Sequence, residues 1–215
     1  MEGGIRMLNH GVTQDTPKSM MFGAGTIHKG LAFTEEPGSW NFEESLYGAT
    51  SGGTKLTITP ELVDIEVDGM NVKTKGLTQK VGESASMETN VVEITPTMIK
   101  QAIIGKDGKN VKGFSEIISK DKIEESDYVE KFGYVGKTLA GTPIIVIFDN
   151  ALCTSGLELE GKNKENAVVK LTMECYGELN GDGVTLPYHI YHPNGVMLST
   201  REVKQLFDEE GKQEK

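Results

Sequence analysis

His189 and His192 bracket Ile190-Tyr191, and two imidazoles so close along a chain raise the question of a metal site. The spacing argues against one. In a strand, side chains three positions apart point to opposite faces, and no cysteine or convincing third carboxylate lies nearby. His10 and His28, the remaining histidines, stand apart from any such group. Gly133-Tyr134-Val135-Gly136-Lys137-Thr138 ends in the GKT of a phosphate-binding loop, but that loop needs its first glycine at position 131, which is Lys131. The run Gly48-Ala49-Thr50-Ser51-Gly52-Gly53 leads into a strand, so no helix N-terminus follows to hold an anion. Asp107-Gly108-Lys109-Asn110 lacks the regular acidic ligands of a calcium loop. Neither Cys153 nor Cys175 sits in a recognisable nucleophile motif, and no serine occupies G-x-S-x-G. Carboxylate pairs occur throughout so acidic a chain and therefore discriminate nothing. The expectation is a protein that is not an enzyme, with no catalytic residue, cofactor or bound metal.

The elements that would have to position such residues are mostly strands. Val169, Leu171, Met173 and Cys175 alternate with Lys170, Thr172 and Glu174, the pattern of a half-buried antiparallel strand. Leu157–Glu160 is placed to pair with it across the polar turn Gly161–Asn166. Ile144–Phe148 is apolar throughout and reads as a central strand covered on both faces. Lys55–Ile58 alternates up to Pro60. Beyond the proline, Val63, Ile65 and Val67 alternate with acids before the Asp68-Gly69 turn. From Gly82 to Ile94 the apolar parity switches near residue 91, which predicts a bulge there. Thr95 caps a helix with Pro96 at its first position and Gly105 as its stop. Ser199 and Glu202 form a capping box for a second, C-terminal helix, and Lys112–Lys120 has the look of a further helical turn. These pieces predict a mainly β, antiparallel sandwich or barrel with one flanking α-helix, in a single domain over 1–215.

Hydrophobic residues make up 37% and charged residues 25% of the 215, an ordinary globular composition. No apolar run approaches the ~20 residues of a membrane span, and the N-terminus has no signal-like apolar core, so a cytoplasmic protein is expected. With 22 basic against 32 acidic side chains the formal charge is −10, which argues against a nucleic-acid-binding surface. The two cysteines fall in neighbouring strand-like segments; in a reducing compartment they serve as small apolar fillers.

Residues 33–53 form a long connection with little periodicity but much apolar area in Phe33, Trp40, Phe42, Leu46 and Tyr47. Connections longer than ~12–15 residues are usually functional or disordered, and so many aromatics fit disorder poorly. Either the loop packs on its own domain or it is an intersubunit arm, and the sequence leaves both open. Gly48, Gly52 and Gly53 would hinge its return to the sheet. Residues 1–22 make a second arm, at the N-terminus, and 187–215 a C-terminal extension ending in the short helix. On the arm reading, replacing Trp40 and Phe42 by alanine should spare the monomer and impair association.

The order of pieces carries more than any one of them. Gly-Ala-Thr-Ser-Gly-Gly precedes a strand, then come Val63-Asp64-Ile65-Glu66-Val67-Asp68-Gly69, Lys75-Gly76-Leu77, Asn90-Val91-Val92-Glu93-Ile94-Thr95 with the helix to Ile104, and Asp149-Asn150-Ala151-Leu152 before a hairpin. From about residue 45 to about residue 180 this progression resembles the major tail protein, or tail tube protein, of long-tailed bacteriophages of Gram-positive hosts. The resemblance implies a β-sandwich with a flanking helix, hexameric rings of identical subunits, and stacking of rings into a hollow tube that delivers DNA. It further implies virion tail location after assembly in the host cytoplasm, with tape measure and tail terminator proteins as partners. Genomic DNA would pass through the lumen without specific binding, and no membrane would be involved. Six copies would carry about −60 in formal charge, which suits a lumen that does not grip phosphates. A β-sandwich carbohydrate- or receptor-binding module of a phage or surface protein is the alternative, and it calls for aromatics along one exposed face.

Overall fold

The computed structural model describes residues 11–193 apart from 14, 37, 162 and 165. The helix expected at Ser199, most of the C-terminal extension and the first ten residues of the N-terminal arm lie outside the described residues. In chain order the elements are α1 (Thr16–Ser19), β1 (Thr26–His28), β2 (Phe33–Thr34), β3 (Ser39–Trp40), β4 (Thr50–Asp64), β5 (Thr78–Val91) and α2 (Pro96–Ile103). They continue with β6 (Gly105–Asp107), β7 (Ile117–Ser119), a 3-10 turn (Glu125–Asp127), β8 (Val129–Lys137) and β9 (Pro143–Cys153). β10 (Glu158–Glu160), β11 (Val168–Cys175) and β12 (Tyr188–Tyr191) complete the set.

β9 is the axis of the molecule, because the apolar run expected to be central is buried on both faces. Ile145, Val146, Ile147 and Phe148 are all buried, as are Ala151, Leu152 and Cys153 at its far end. β8 pairs with it along one side. On the other side β12 takes its first half and β11 its second, so the sheet branches there. The eight-stranded antiparallel sheet runs β1-β8-β9-β11-β5-β4, with β10 added on β11 and β12 on β9. The mainly β antiparallel class is therefore as read from the sequence, with the strands hydrogen-bonded into one branched sheet rather than two separate ones. β2–β3 and β6–β7 are two further two-stranded ladders.

Two clusters fill the two faces. Ile27, Phe132, Phe148, Met87, Leu171 and Met173 form the larger core on the first face, closed by Met98 and Ala102 of α2. Leu31, Ile145 and Ile147 form a smaller cluster on the second face, covered by Trp40, Phe42 and Val135. α2 begins as expected: Thr95 Oγ1 accepts from Met98 N at 3.2 Å, with Pro96 at the first position. It stops one residue earlier than expected, at Ile104 in the left-handed region (φ 50), and Gly105 already belongs to β6. Lys112–Lys120 is not a helical turn. Val111 and Phe114 bond each other across a tight turn, and the chain then enters β7, because the Glu116 carbonyl and carboxylate accept from Gly108 N and Lys109 N and hold the segment as a hairpin.

β10 and β11 pair as read, and the inward-facing Val169, Leu171, Met173 and Cys175 are buried. Both cysteines are free and buried in the larger core. Burial and the nearby Asp149 and Glu83 charges push the Cys175 thiol up to about 12, so it stays protonated and inert at neutral pH.

β4 and β5 differ most from expectation. Pro60 does not interrupt β4, which runs on to Asp64 opposite Thr78. Among the described residues β5 is its only sheet partner, and an edge strand tolerates proline. The parity change near residue 91 has two causes. β5 ends at Val91, and the irregularity lies on the facing strand, where Ser51-Gly52-Gly53 oppose the single residue Asn90.

Candidate assembly surface

The half of the β4–β5 hairpin nearest the sheet behaves like a core hairpin. Ala85, Met87, Thr89 and Val91 are buried, with Leu56 and Ile58 packed against them. Past Thr59 on β4 and before Gly82 on β5 no strand residue is buried, although the ladder continues through Leu62↔Lys80, Val63↔Gln79 and Asp64↔Thr78. Leu62, Val63, Ile65, Val67, Met70, Val72 and Val81 are all between 43% and 74% exposed. The alternation of Val63, Ile65 and Val67 with acids thus has nothing among the described residues covering either face.

This arm is ordered by its own bonds. Ile65 N donates to Leu77 O at 2.7 Å, Met70 N to Val67 O at 3.0 Å across the expected Asp68-Gly69 turn, and Leu77 N to Thr74 O at 3.0 Å. Asp64 accepts from Thr78 Oγ1 at 2.6 Å and pairs with Lys73 Nζ at 2.7 Å, contacts that hold its carboxyl below the usual range. At the root, Glu83 accepts from Leu186 N at 2.6 Å and pairs with Lys80 at 2.5 Å, and these donors lower its pKa as well. Beyond Thr59 the hairpin is thus exposed, apolar and braced by its own bonds.

The 33–53 connection takes a different course from a free arm. It lies along the outer edge of β1: Lys29 N donates to Ser45 O at 2.7 Å and Tyr47 N to Ile27 O at 2.8 Å. That edge is covered as a sheet edge usually must be. Asn41 clamps the turn by accepting from Ala32 N and donating to Gly30 O. Buried His28 and Ser45 form a relay that ends on exposed Thr26. The Ser45 hydroxyl donates to Asn41 O at 2.6 Å, so it accepts from His28 Nδ1 at 2.9 Å, and Nε2 then accepts from Thr26 Oγ1 at 2.8 Å. Burial lowers the His28 pKa, and the imidazole is neutral in this arrangement.

All four aromatics singled out in that connection find ring partners within the chain, Phe33 meeting Trp40 edge-on at 5.4 Å between centroids. Trp40 meets Tyr191 edge-on at 4.9 Å between ring centroids and stacks on Phe42, while Tyr47 packs edge-on against Phe132 and donates to Gln101 at 2.8 Å. Phe33 and Leu46 remain 51% and 52% exposed. Gly52 and Gly53 lie inside β4 with φ of 81° and 85°, and a Cβ on Gly48 would stand 3.2 Å from Glu93 Oε2. Residues 20–22, the end of the N-terminal arm, are tied to β8 and the turn after it through Phe22 N to Lys137 O and Leu139 N to Met20 O.

The residues weighed for chemistry are dispersed. His189 Nε2 lies 3.1 Å from Asp149 Oδ2, whose other oxygen holds Lys131, and His192 lies beyond β12 against Pro193 O. The GKT segment is the end of β8. Among the described residues no group of three or more His, Cys, Asp or Glu could hold a metal ion, and no helix is long and apolar enough to cross a membrane.

No protein-family model and no curated protein matches the chain. Among solved structures it is similar to a chain of the virion of a native gene transfer agent particle, at 15% identity and a TM-score of 0.39, covering 77% of this chain and 95% of that one. It is also similar to a chain of the tail of an empty gene transfer agent particle with C6 symmetry, at 14% identity and a TM-score of 0.38, covering 72% and 92%.

Proposed function

We propose that this chain is the structural subunit of a phage-like tail tube, polymerising through hexameric rings that stack into a channel for DNA delivery. The observation that carries the reading is the β4–β5 arm, a braced hairpin with exposed apolar side chains on both faces and no covering partner among the described residues. The order of sequence motifs favours the tail tube proteins of long-tailed phages of Gram-positive hosts in particular. The open edge of β4 fits the same role, since head-to-tail contacts that repeat make rings and filaments. The subunit works without catalysis or cofactor. It acts in the virion tail, with other tail proteins at the tube ends and DNA passing through unbound. A glycan-binding platform would need aromatics on an open face, and Trp40, Phe42 and Tyr47 are engaged within the chain.

Negative-stain electron microscopy of the purified full chain at rising concentration tests this. Rings or tubes roughly 100 Å across, the size expected of several such domains, are the predicted result. A monomer at every concentration, with or without added tail partners, would overturn it.

A further inference from the structure

On an acidic protein the β6–β7 hairpin carries three lysines against two acids, Asp107, which pairs with Lys100, and Glu116. Lys106 of β6 and Lys109 and Lys112 of the turn have no carboxylate partner among the described residues, and the turn also holds Val111 and Phe114, which are 64% and 78% exposed. The turn is held rigid by Glu116, whose carboxylate accepts from Lys109 N at 2.6 Å and so is committed to the backbone. Elsewhere in the chain, residues 30–45 contain Glu35, Glu36, Glu43 and Glu44 and no lysine or arginine, and none of these carboxylates has an ion-pair partner among the described residues. Half-exposed Phe33 and Leu46 flank them. Each surface thus offers unpaired charge of one sign around two exposed apolar side chains, and the signs are opposite.

Their placement decides what the match is for. β2–β3 lies over the second face of the sheet, where Trp40 and Phe42 cover Leu31, Ile145 and Ile147. α2, which carries the β6–β7 hairpin against it, closes the first face. Glu44 and Leu46 come round the β1 edge to the start of α2, beside Thr95 and Thr97, whereas Phe33, Glu35 and Glu36 stay with β2–β3. The Phe33–Glu36 end and the β6–β7 turn thus belong to different faces, and complementary patches so placed generate a head-to-tail contact that propagates from copy to copy. We infer that the β6–β7 turn of one copy docks on the acidic Phe33–Glu36 end of the 33–46 loop of the next copy, the lysines meeting Glu35 and Glu36 and Phe114 packing beside Phe33. This rests on the assembling-subunit reading and adds to it which surfaces meet. A basic loop with an exposed aromatic is also the chemistry of nucleic-acid contact, and the test separates the two.

The experiment uses two full-length variants, Lys109→Glu/Lys112→Glu and Glu35→Lys/Glu36→Lys. Each puts like charge on both surfaces, so each alone should need about tenfold more protein to assemble, measured by sedimentation and electron microscopy. Mixed in equal amounts, they should alternate and assemble within about twofold of the unaltered chain, because every junction again pairs opposite signs. Recovery in the mixture supports the pairing, and it also shows that both variants are folded. Assembly of either variant alone at the unaltered concentration overturns it, as does a mixture no better than its components. Loss of duplex DNA binding in the lysine variant with unchanged assembly assigns the turn to nucleic acid and overturns it too. If the unaltered chain never assembles, the tube reading falls and takes this pairing with it; if it assembles and only the swaps are silent, the pairing alone falls.

Discussion

Val63, Ile65 and Val67, replaced together by threonine, should leave the monomer as stable as before and weaken assembly by orders of magnitude. The three side chains are 47%, 43% and 47% exposed, so about half of each is still open to water. Fully burying a side chain of this size is worth about 1.5–3 kcal/mol, and covering the remaining half about 0.8–1.5 kcal/mol. Three such positions contribute roughly 2–4 kcal/mol at an interface, and threonine keeps the β-branched shape while losing most of that. At about 1.4 kcal/mol per decade, the protein concentration needed for assembly should rise roughly 30- to 1,000-fold. Thermal unfolding of dilute monomer reports the other half of the prediction, since exposed substitutions usually change stability by less than about 0.5 kcal/mol. Assembly at the original concentration would refute the argument that the arm is built for a partner. A large loss of monomer stability would show that the arm is covered by its own chain.

Three further outcomes are expected. Trp40→Ala should destabilise the monomer by about 1–3 kcal/mol in denaturant unfolding, because the ring covers the second-face cluster and meets Tyr191; this replaces the expectation from sequence that the monomer would be spared. Burial lowers the folded-state pKa of His28, so the unfolded chain takes up a proton first: stability is full above pH ~6.5 and declines as pH falls toward the lower folded value. Stability curves measured from pH 8 to 5 should lose that portion of their slope in His28→Gln. Gly133→Ala should cost about 1–3 kcal/mol and loosen the 30–45 loop in hydrogen exchange, since the added Cβ would stand 2.7 Å from Leu31 Cδ2 in the middle of the sheet.

What the sequence made legible was whatever one element decides by itself. Val169 to Cys175 alternates and Ile144 to Phe148 is apolar, so β11 and β9 follow from period and burial alone. Thr95-Pro96 likewise fixes the start of α2 through local capping. β8 was missed because Gly133 and Gly136 look like flexibility; they are required by close approach, to Leu31 in one case and to Met21 and the Tyr134 ring in the other, which only the neighbours reveal. The assembly surface was half legible for the same reason. Alternation at Val63, Ile65 and Val67 announces an apolar face, but whether anything covers that face is a property of the rest of the fold. The aromatic loop, whose course the sequence left open, lies along a sheet edge, β1, with Phe33 and Leu46 still half exposed.

The run Gly48 to Gly53 shows how far that distinction reaches. Glycines after a long loop suggest freedom to swing, and backbone angles near φ +80° at Gly52 and Gly53 do need residues without a Cβ. Their place in the ladder gives them a different task. Three residues of β4 stand against Asn90 alone, and an inserted bulge bends its strand and increases the local twist. β4 then continues without a break to Asp64, and a second register shift between Glu61 and Leu62 comes just where the hairpin loses its cover. A rigid ladder between two bends transmits the direction set at its base to its tip. The glycines therefore help aim the exposed arm, and the angle at which one subunit could meet the next is set partly within the sheet itself, about ten residues before the Val63 face begins to matter for assembly.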